Sequence, residues 1–107
     1  MAFNGVKLAL KAGPHGAARA IEYDGKSLLP AGVVRVEGEF QRGDVVRIVT
    51  VDGHDLASGS ANYAAADIER IRGQRSDRIA EVLGYCPYDE VVHRDNLAVI
   101  RRDTPAT

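Results

Sequence analysis

Short runs in which hydrophobic and polar residues alternate predict a fold built mainly from β-strands. Residues 3–10 and 33–37 alternate in this way, whereas residues 45–51 are apolar on both faces apart from two positions. Residues 97–100, near the end of the chain, have the same strand-like character. We therefore expect several short strands to form the body of the protein.

Three further segments have the composition of short helices. Residues 17–21 are good helix formers. Asn62 is suited to cap the N-terminus of a second helix over residues 63–72. A third helix is predicted to start at Ser76, and its buried side would consist of Ile79, Val82 and Leu83.

The pair Asp52-Gly53 predicts a tight two-residue hairpin turn, because these residues tolerate the positive backbone angles that such a turn requires. The turn would join residues 45–51 to a returning strand. One face of that strand carries small residues, which mark the close approach of another backbone or of a helix. These small residues are Ala57, Gly59 and Ala61.

Residues 27–32 are expected to form an irregular loop. Pro30 has no amide hydrogen to donate to a sheet, and Gly32 permits unusual backbone angles. We predict that Leu28 and Leu29 are both buried and hold this loop against the core.

Together these elements predict a mainly β fold with short helices, in the form of a small mixed β pseudo-barrel or curled sheet. A chain of 107 residues is the size of one compact domain. A single cysteine, Cys86, excludes an internal disulfide framework. No window approaches the run of about 20 apolar residues that crosses a bilayer, and we expect a cytoplasmic protein without a membrane partner.

The charges nearly cancel, with 14 Lys and Arg against 15 Asp and Glu. No global field therefore draws the chain to nucleic acid or to an anionic membrane, and any such attraction must be local. The sequence also lacks a glycine-rich phosphate loop followed by lysine. We expect no catalytic site, no metal site and no cofactor in this chain.

Several segments in the same order resemble the PUA domain, in the form found at the C-terminal end of bacterial glutamate 5-kinases. The resemblance rests first on GKSLLPAGV at residues 25–33, VEGEF at 36–40 and RGDVV at 42–46. It continues with NY at 62–63, IRG at 71–73 and EVVHRDNL at 90–97. The similarity implies a PUA domain over residues 16–102. It leaves an N-terminal segment of uncertain match at 1–15, which includes the first predicted strand, and a frayed tail at 103–107.

The resemblance also implies a parent enzyme and its partners. Glutamate 5-kinases carry this domain after an amino-acid kinase domain, which phosphorylates L-glutamate with ATP in the first step of proline biosynthesis. That catalytic domain is absent from the 107 residues, so ATP and magnesium are implied for the kinase domain alone. This chain is then an accessory domain with a regulatory or assembly role.

The alternative that the resemblance implies is an RNA-binding module that recognises structured RNA by backbone and shape. Its binding candidates lie on the first helix, in the loop that follows it and after the last strand. They are Arg19, Lys26, Ser27, Gly32, Arg101 and Arg102. The structural alternative for the loop of residues 25–32 is a turn whose glycines only satisfy backbone geometry.

Two other polar groups are expected to be structural. The letters of His93-Arg94-Asp95-Asn96 are similar to a kinase catalytic loop, but no phosphate-binding motif accompanies them. Asp95 and Asn96 would instead satisfy turn amides. Four arginines between residues 70 and 78 alternate with carboxylates, which is typical of a solvated helix face with ion pairs.

Overall fold

A computed structural model describes residues 6–11 and 16–100 of the chain. Within these residues, five strands form one mixed sheet in the order β2-β1-β3-β4-β5. The strands are β1 Lys7–Leu10, β2 Val33–Glu37, β3 Val45–Thr50, β4 Asp55–Ser60 and β5 Leu97–Val99. The helices of this part are α1 Ala17–Asp24, α2 Ala65–Ile71 and α3 Ile79–Leu83. The predicted mainly β fold with short helices is confirmed.

Strand β1 lies inside the sheet and determines how the first half of the chain folds. It pairs antiparallel with β2 and parallel with β3. Parallel neighbours need a long connection, and α1, the loop after it and β2 supply that connection. Residues 3–5 of the predicted first strand, and the predicted frayed tail at 103–107, lie outside the described residues.

The core is filled by aliphatic side chains from both the sheet and the helices. The sequence pattern of α2 is confirmed, because Ile68 and Ile71 are completely buried. In the third helix, α3, Ile79 is buried, and the partly buried side chains of Val82 and Leu83 pack against the core. The largest fully buried side chains include Leu8, Leu10, Ile21, Leu28, Ile48 and Tyr63.

The hydroxyl group of Tyr63 connects this aliphatic core to the loop before β5 by hydrogen bonds. Its hydroxyl donates a hydrogen bond to the carbonyl of Tyr88 and accepts one from the amide of the same residue. Burial raises the pKa of Tyr63 to about 12, because a buried phenolate would lose its hydration. The rings of Tyr85 and Tyr88 pack edge-on against it, with centroids 6.3 and 6.2 Å away.

The β3–β4 hairpin is present, but the predicted two-residue turn is wrong. The Thr50 amide donates to the His54 carbonyl at 2.9 Å, and the Gly53 amide donates to the Thr50 carbonyl at 2.9 Å. Three residues therefore lie in the loop, and Gly53 adopts a φ of 99°. A turn followed by a residue in a left-handed conformation is the usual three-residue hairpin loop.

Two other sequence predictions are wrong. Leu29 is 45% exposed, because the backbone before Pro30 is extended and points successive side chains in opposite directions. Asn62 does not cap α2, which begins at Ala65. Its side-chain amide instead donates to the carbonyl of Glu90 at 3.0 Å, so the residue joins two distant loops.

The small residues of β4 pack as predicted. A Cβ atom on Gly59 would lie 2.6 Å from the carbonyl oxygen of Asn96 and 2.7 Å from a methyl carbon of Val92. Ala57 and Ala61 are buried beside it. The segment before β5 therefore crosses β4 at a distance that only glycine permits.

We predict that Gly59→Ala lowers the free energy of unfolding by about 1 to 3 kcal/mol, because the added methyl group must displace backbone. Urea denaturation of the two proteins measures this difference. Ser58→Ala, at the neighbouring half-buried position, is the control and should change stability by less than about 0.5 kcal/mol. Equal stability of both variants would contradict the close approach.

Candidate functional site

The C-terminal end of α1 positions Lys26. Gly25 ends the helix with a φ of 64°, and its amide donates to the Ala20 carbonyl. The Lys26 amide donates to the same carbonyl at 3.2 Å. The exposed ammonium group of Lys26 thus follows a helix C-terminus, where a positive charge is favoured.

Ser27 joins this loop to the last part of the chain. Its hydroxyl oxygen accepts a hydrogen bond from the backbone amide of Arg94 at 2.8 Å. The next residue, Leu28, forms an isolated antiparallel bridge with Val92. The Ser27 hydroxyl is therefore already engaged in a structural contact, and this contact brings Arg94 beside the loop that carries Lys26.

Gly32 is required by packing. A Cβ atom at this position would lie 2.5 Å from the Cβ of Ala17, which is well inside contact distance. The 3₁₀ turn Pro30–Gly32 therefore lies directly against the first turn of α1. This contact alone explains why residue 32 is a glycine, with or without a ligand at its backbone.

Arg19 lies on the exposed side of α1. Its guanidinium carbon is 5.0 Å from the ring centroid of Tyr23, within the range of a cation–π interaction. Arg101 and Arg102, the other two predicted cations, lie outside the described residues. Of the predicted binding residues, Arg19 therefore lies on α1, and Lys26 and Ser27 lie directly after its C-terminal end.

Arg94 is the candidate that sequence reasoning missed. It is exposed and lies 67 positions from Ser27 along the chain, so no local motif could associate the two. A side chain satisfies an amide of the turn around it, as predicted, but the expected acceptor is wrong. The His93 ring nitrogen Nδ1, and not a side chain of Asp95 or Asn96, accepts the turn amide, from Asp95 at 3.0 Å.

The arginines between residues 70 and 78 are engaged as predicted. Arg72 pairs with Glu69 at 2.9 Å and Arg78 pairs with Glu81 at 2.7 Å. Arg72 also donates to the carbonyl of Val34 at 2.8 Å, which connects α2 to β2. This arginine run is therefore a structural surface and a poor choice for a ligand site.

The described residues contain no group of three or more His, Cys, Asp or Glu side chains arranged to hold a metal ion. Within the same part of the chain, no helix has the length and apolar character needed to span a bilayer. The candidate site thus consists of exposed cations and a shaped loop, without a buried polar cluster.

Comparison with known proteins identifies a domain family and relatives with a common name. The model of the PUA domain family matches residues 15–83. The chain is 56% identical over 85 residues to a glutamate 5-kinase of Moorella thermoacetica, covering 79% of this chain and 22% of that protein. It is 58% identical over 87 residues to a glutamate 5-kinase of Syntrophus aciditrophicus, covering 81% and 23%.

A solved structure has the same fold. The crystal structure of a PUA domain from Aeropyrum pernix K1, in a tartrate complex, aligns with a TM-score of 0.57 and 23% identity. The alignment covers 95% of this chain and 45% of that chain. The matched part of the glutamate 5-kinases is their C-terminal region, so this chain spans less than a quarter of those two relatives.

We predict that Ser27→Ala costs about 1 kcal/mol of stability, because the Arg94 amide loses its acceptor. Hydrogen exchange of the Arg94 amide, followed by NMR, should become faster. Ser27→Thr keeps a hydroxyl and is the matched control, with exchange close to that of the unmodified chain. Unchanged protection of the Arg94 amide in Ser27→Ala would contradict the contact.

Proposed function

The chain belongs to the PUA domain family, and from this premise we propose that it is the non-catalytic accessory domain of a glutamate 5-kinase. The observation that carries the proposal is its identity of 56% and 58% to the C-terminal region of two such enzymes. Its partner would be an amino-acid kinase domain of the same polypeptide. That domain would bind ATP and magnesium and phosphorylate L-glutamate to glutamyl 5-phosphate in the cytoplasm.

The polar chemistry of the described residues supports a non-catalytic role. Of the polar and charged residue types, Thr50 is the one that is buried among the described residues, and its hydroxyl accepts a hydrogen bond from the His54 amide at 3.0 Å. Catalytic groups usually lie in a sheltered pocket with perturbed pKa values. Several charged side chains of this domain instead lie in surface ion pairs, and a surface of this kind is better suited to contacts with another domain.

A domain exchange tests the accessory role. The C-terminal region of the Moorella thermoacetica enzyme is replaced by this chain, and glutamate phosphorylation and its inhibition by proline are measured. We expect the chimera to match the intact enzyme, while an enzyme truncated before this region shows an altered response. A chimera that behaves like the truncated enzyme would contradict the proposal, as would ATP-dependent phosphorylation of glutamate by the isolated 107-residue chain.

A second candidate function is RNA binding, and one contact favours it. The hydrogen bond between Ser27 and the Arg94 amide brings the backbone of Arg94 to the loop that carries Lys26, and both of these basic residues are exposed. Phosphate groups are bound by such cations and by backbone amides. The candidate residues of this surface are Arg19, Lys26, Ser27, Gly32, Arg94, Arg101 and Arg102.

We predict that bulk transfer RNA shifts the amide resonances of residues 19, 26, 27 and 94 at low salt. The shifts should diminish at near-physiological salt, because phosphate contacts release counterions. A labelled sample titrated at the two salt concentrations measures both effects. Shifts confined to residues 70–78, or no shifts at low salt, would contradict this candidate function.

A further inference from the structure

Tyr23 has the most exposed of the large hydrophobic side chains among the described residues, with an accessible fraction of 67%. It lies in the last turn of α1, which ends at Asp24. The guanidinium group of Arg19 lies over its ring, 5.0 Å from the centroid. Arg19 therefore orients the ring from one side, and the large exposed fraction leaves the other ring face in solvent.

The other exposed tyrosines have structural contacts that explain their positions. Tyr85 and Tyr88 both pack edge-on against the buried ring of Tyr63. The Tyr85 hydroxyl also donates to a carboxylate oxygen of Asp67 at 3.2 Å. In the described part of the chain, Tyr23 has no such ring partner and no side-chain hydrogen bond, so packing does not account for an aromatic residue at this place.

The formal charges of the residues beside Tyr23 cancel. Arg19 and Lys26 are positive, while Glu22 and Asp24 are negative and lie on either side of the tyrosine along the helix. Attraction of phosphate groups to such a surface is weak. A nucleic acid that binds here must gain free energy from another contact, and stacking of a base on an aromatic ring is such a contact.

We propose that the Tyr23 ring, held by Arg19, stacks on an unpaired nucleobase while Lys26 contacts a neighbouring phosphate. The proposal rests on the second candidate function, RNA binding, and changes its ligand from structured RNA read by shape to RNA with a single-stranded segment. Paired bases within a helix stack on one another and leave no face for a side chain, whereas unpaired bases are bound by aromatic stacking. The platform therefore selects unpaired nucleotides.

The test compares a single-stranded RNA octamer of mixed sequence with a duplex of the same length. Binding of each to the 107-residue chain is measured by fluorescence anisotropy at low salt. We expect Tyr23→Ala to weaken octamer binding about fivefold to a hundredfold, the range found for loss of one base–aromatic stack. Tyr23→Phe keeps the ring and should bind like the unmodified chain.

Tyr85→Ala is the matched control, since it removes another exposed tyrosine and leaves the net charge unchanged. Its fold is checked by its amide spectrum, and its octamer affinity should equal that of the unmodified chain. Salt supplies a second readout, because log K falls with log salt by about 0.7 for each phosphate neutralised on a single strand. By roughly this relation, we expect the slope of log K against log salt to correspond to only one or two neutralised phosphates.

The outcomes separate the two proposals. An unmodified chain that binds neither RNA would overturn RNA binding and the stacking proposal together. Octamer binding that is weakened equally by Tyr23→Ala and Tyr85→Ala would leave RNA binding in place and refute stacking on Tyr23. Tighter binding of the duplex than of the octamer would refute the selection of unpaired nucleotides.

Discussion

The backbone pairing of Leu28 with Val92 is the contact on which both the core and the candidate site depend. The Leu28 amide donates a hydrogen bond to the Val92 carbonyl at 2.9 Å, and the Leu28 carbonyl accepts one from the Val91 amide at 2.7 Å. Leu28, Val91 and Val92 are also completely buried. The contact thus joins the loop after α1 to the segment before β5, which then crosses β4 over Gly59.

Some residues near this pairing both stabilise the fold and belong to the candidate RNA-binding surface. Ser27 holds the Arg94 amide, and Gly32 fits against Ala17, so two of the predicted RNA-binding residues are needed for the fold itself. Within the described residues, the fold does not depend in this way on the side chains of the exposed cations Arg19, Lys26 and Arg94. A relative that kept the loop geometry would thus keep Ser27 and Gly32 even without a nucleic-acid ligand, and only its cations would distinguish the two functions.

The near balance of charge is consistent with the accessory role and limits binding of RNA through phosphates. A module that contacts a neighbouring protein domain needs no net positive charge, whereas binding that depends on phosphates alone does. The chain has 14 Lys and Arg against 15 Asp and Glu, and ion pairs such as Arg72 with Glu69 use several of them. RNA binding by this chain would therefore gain from a contact other than charge, and the exposed ring of Tyr23 is suited to supply it.

The sequence by itself determined the fold class and most element positions, because alternation and helix-forming runs act through near neighbours along the chain. It also showed the resemblance to PUA domains, which rests on segments in the same order. The small residues of the returning strand predicted a close approach, but only the tertiary structure decided that Gly59 meets Val92 and Asn96. The sequence did not determine that Leu29 is exposed, that Asn62 reaches Glu90, or that the hairpin loop has three residues. The exposure of Leu29 and the length of the hairpin loop depend on backbone angles that residue types alone do not specify, whereas the contact of Asn62 depends on where a distant segment lies. The same reason hid Arg94 from sequence reasoning, since only tertiary pairing places it beside Ser27, 67 positions away.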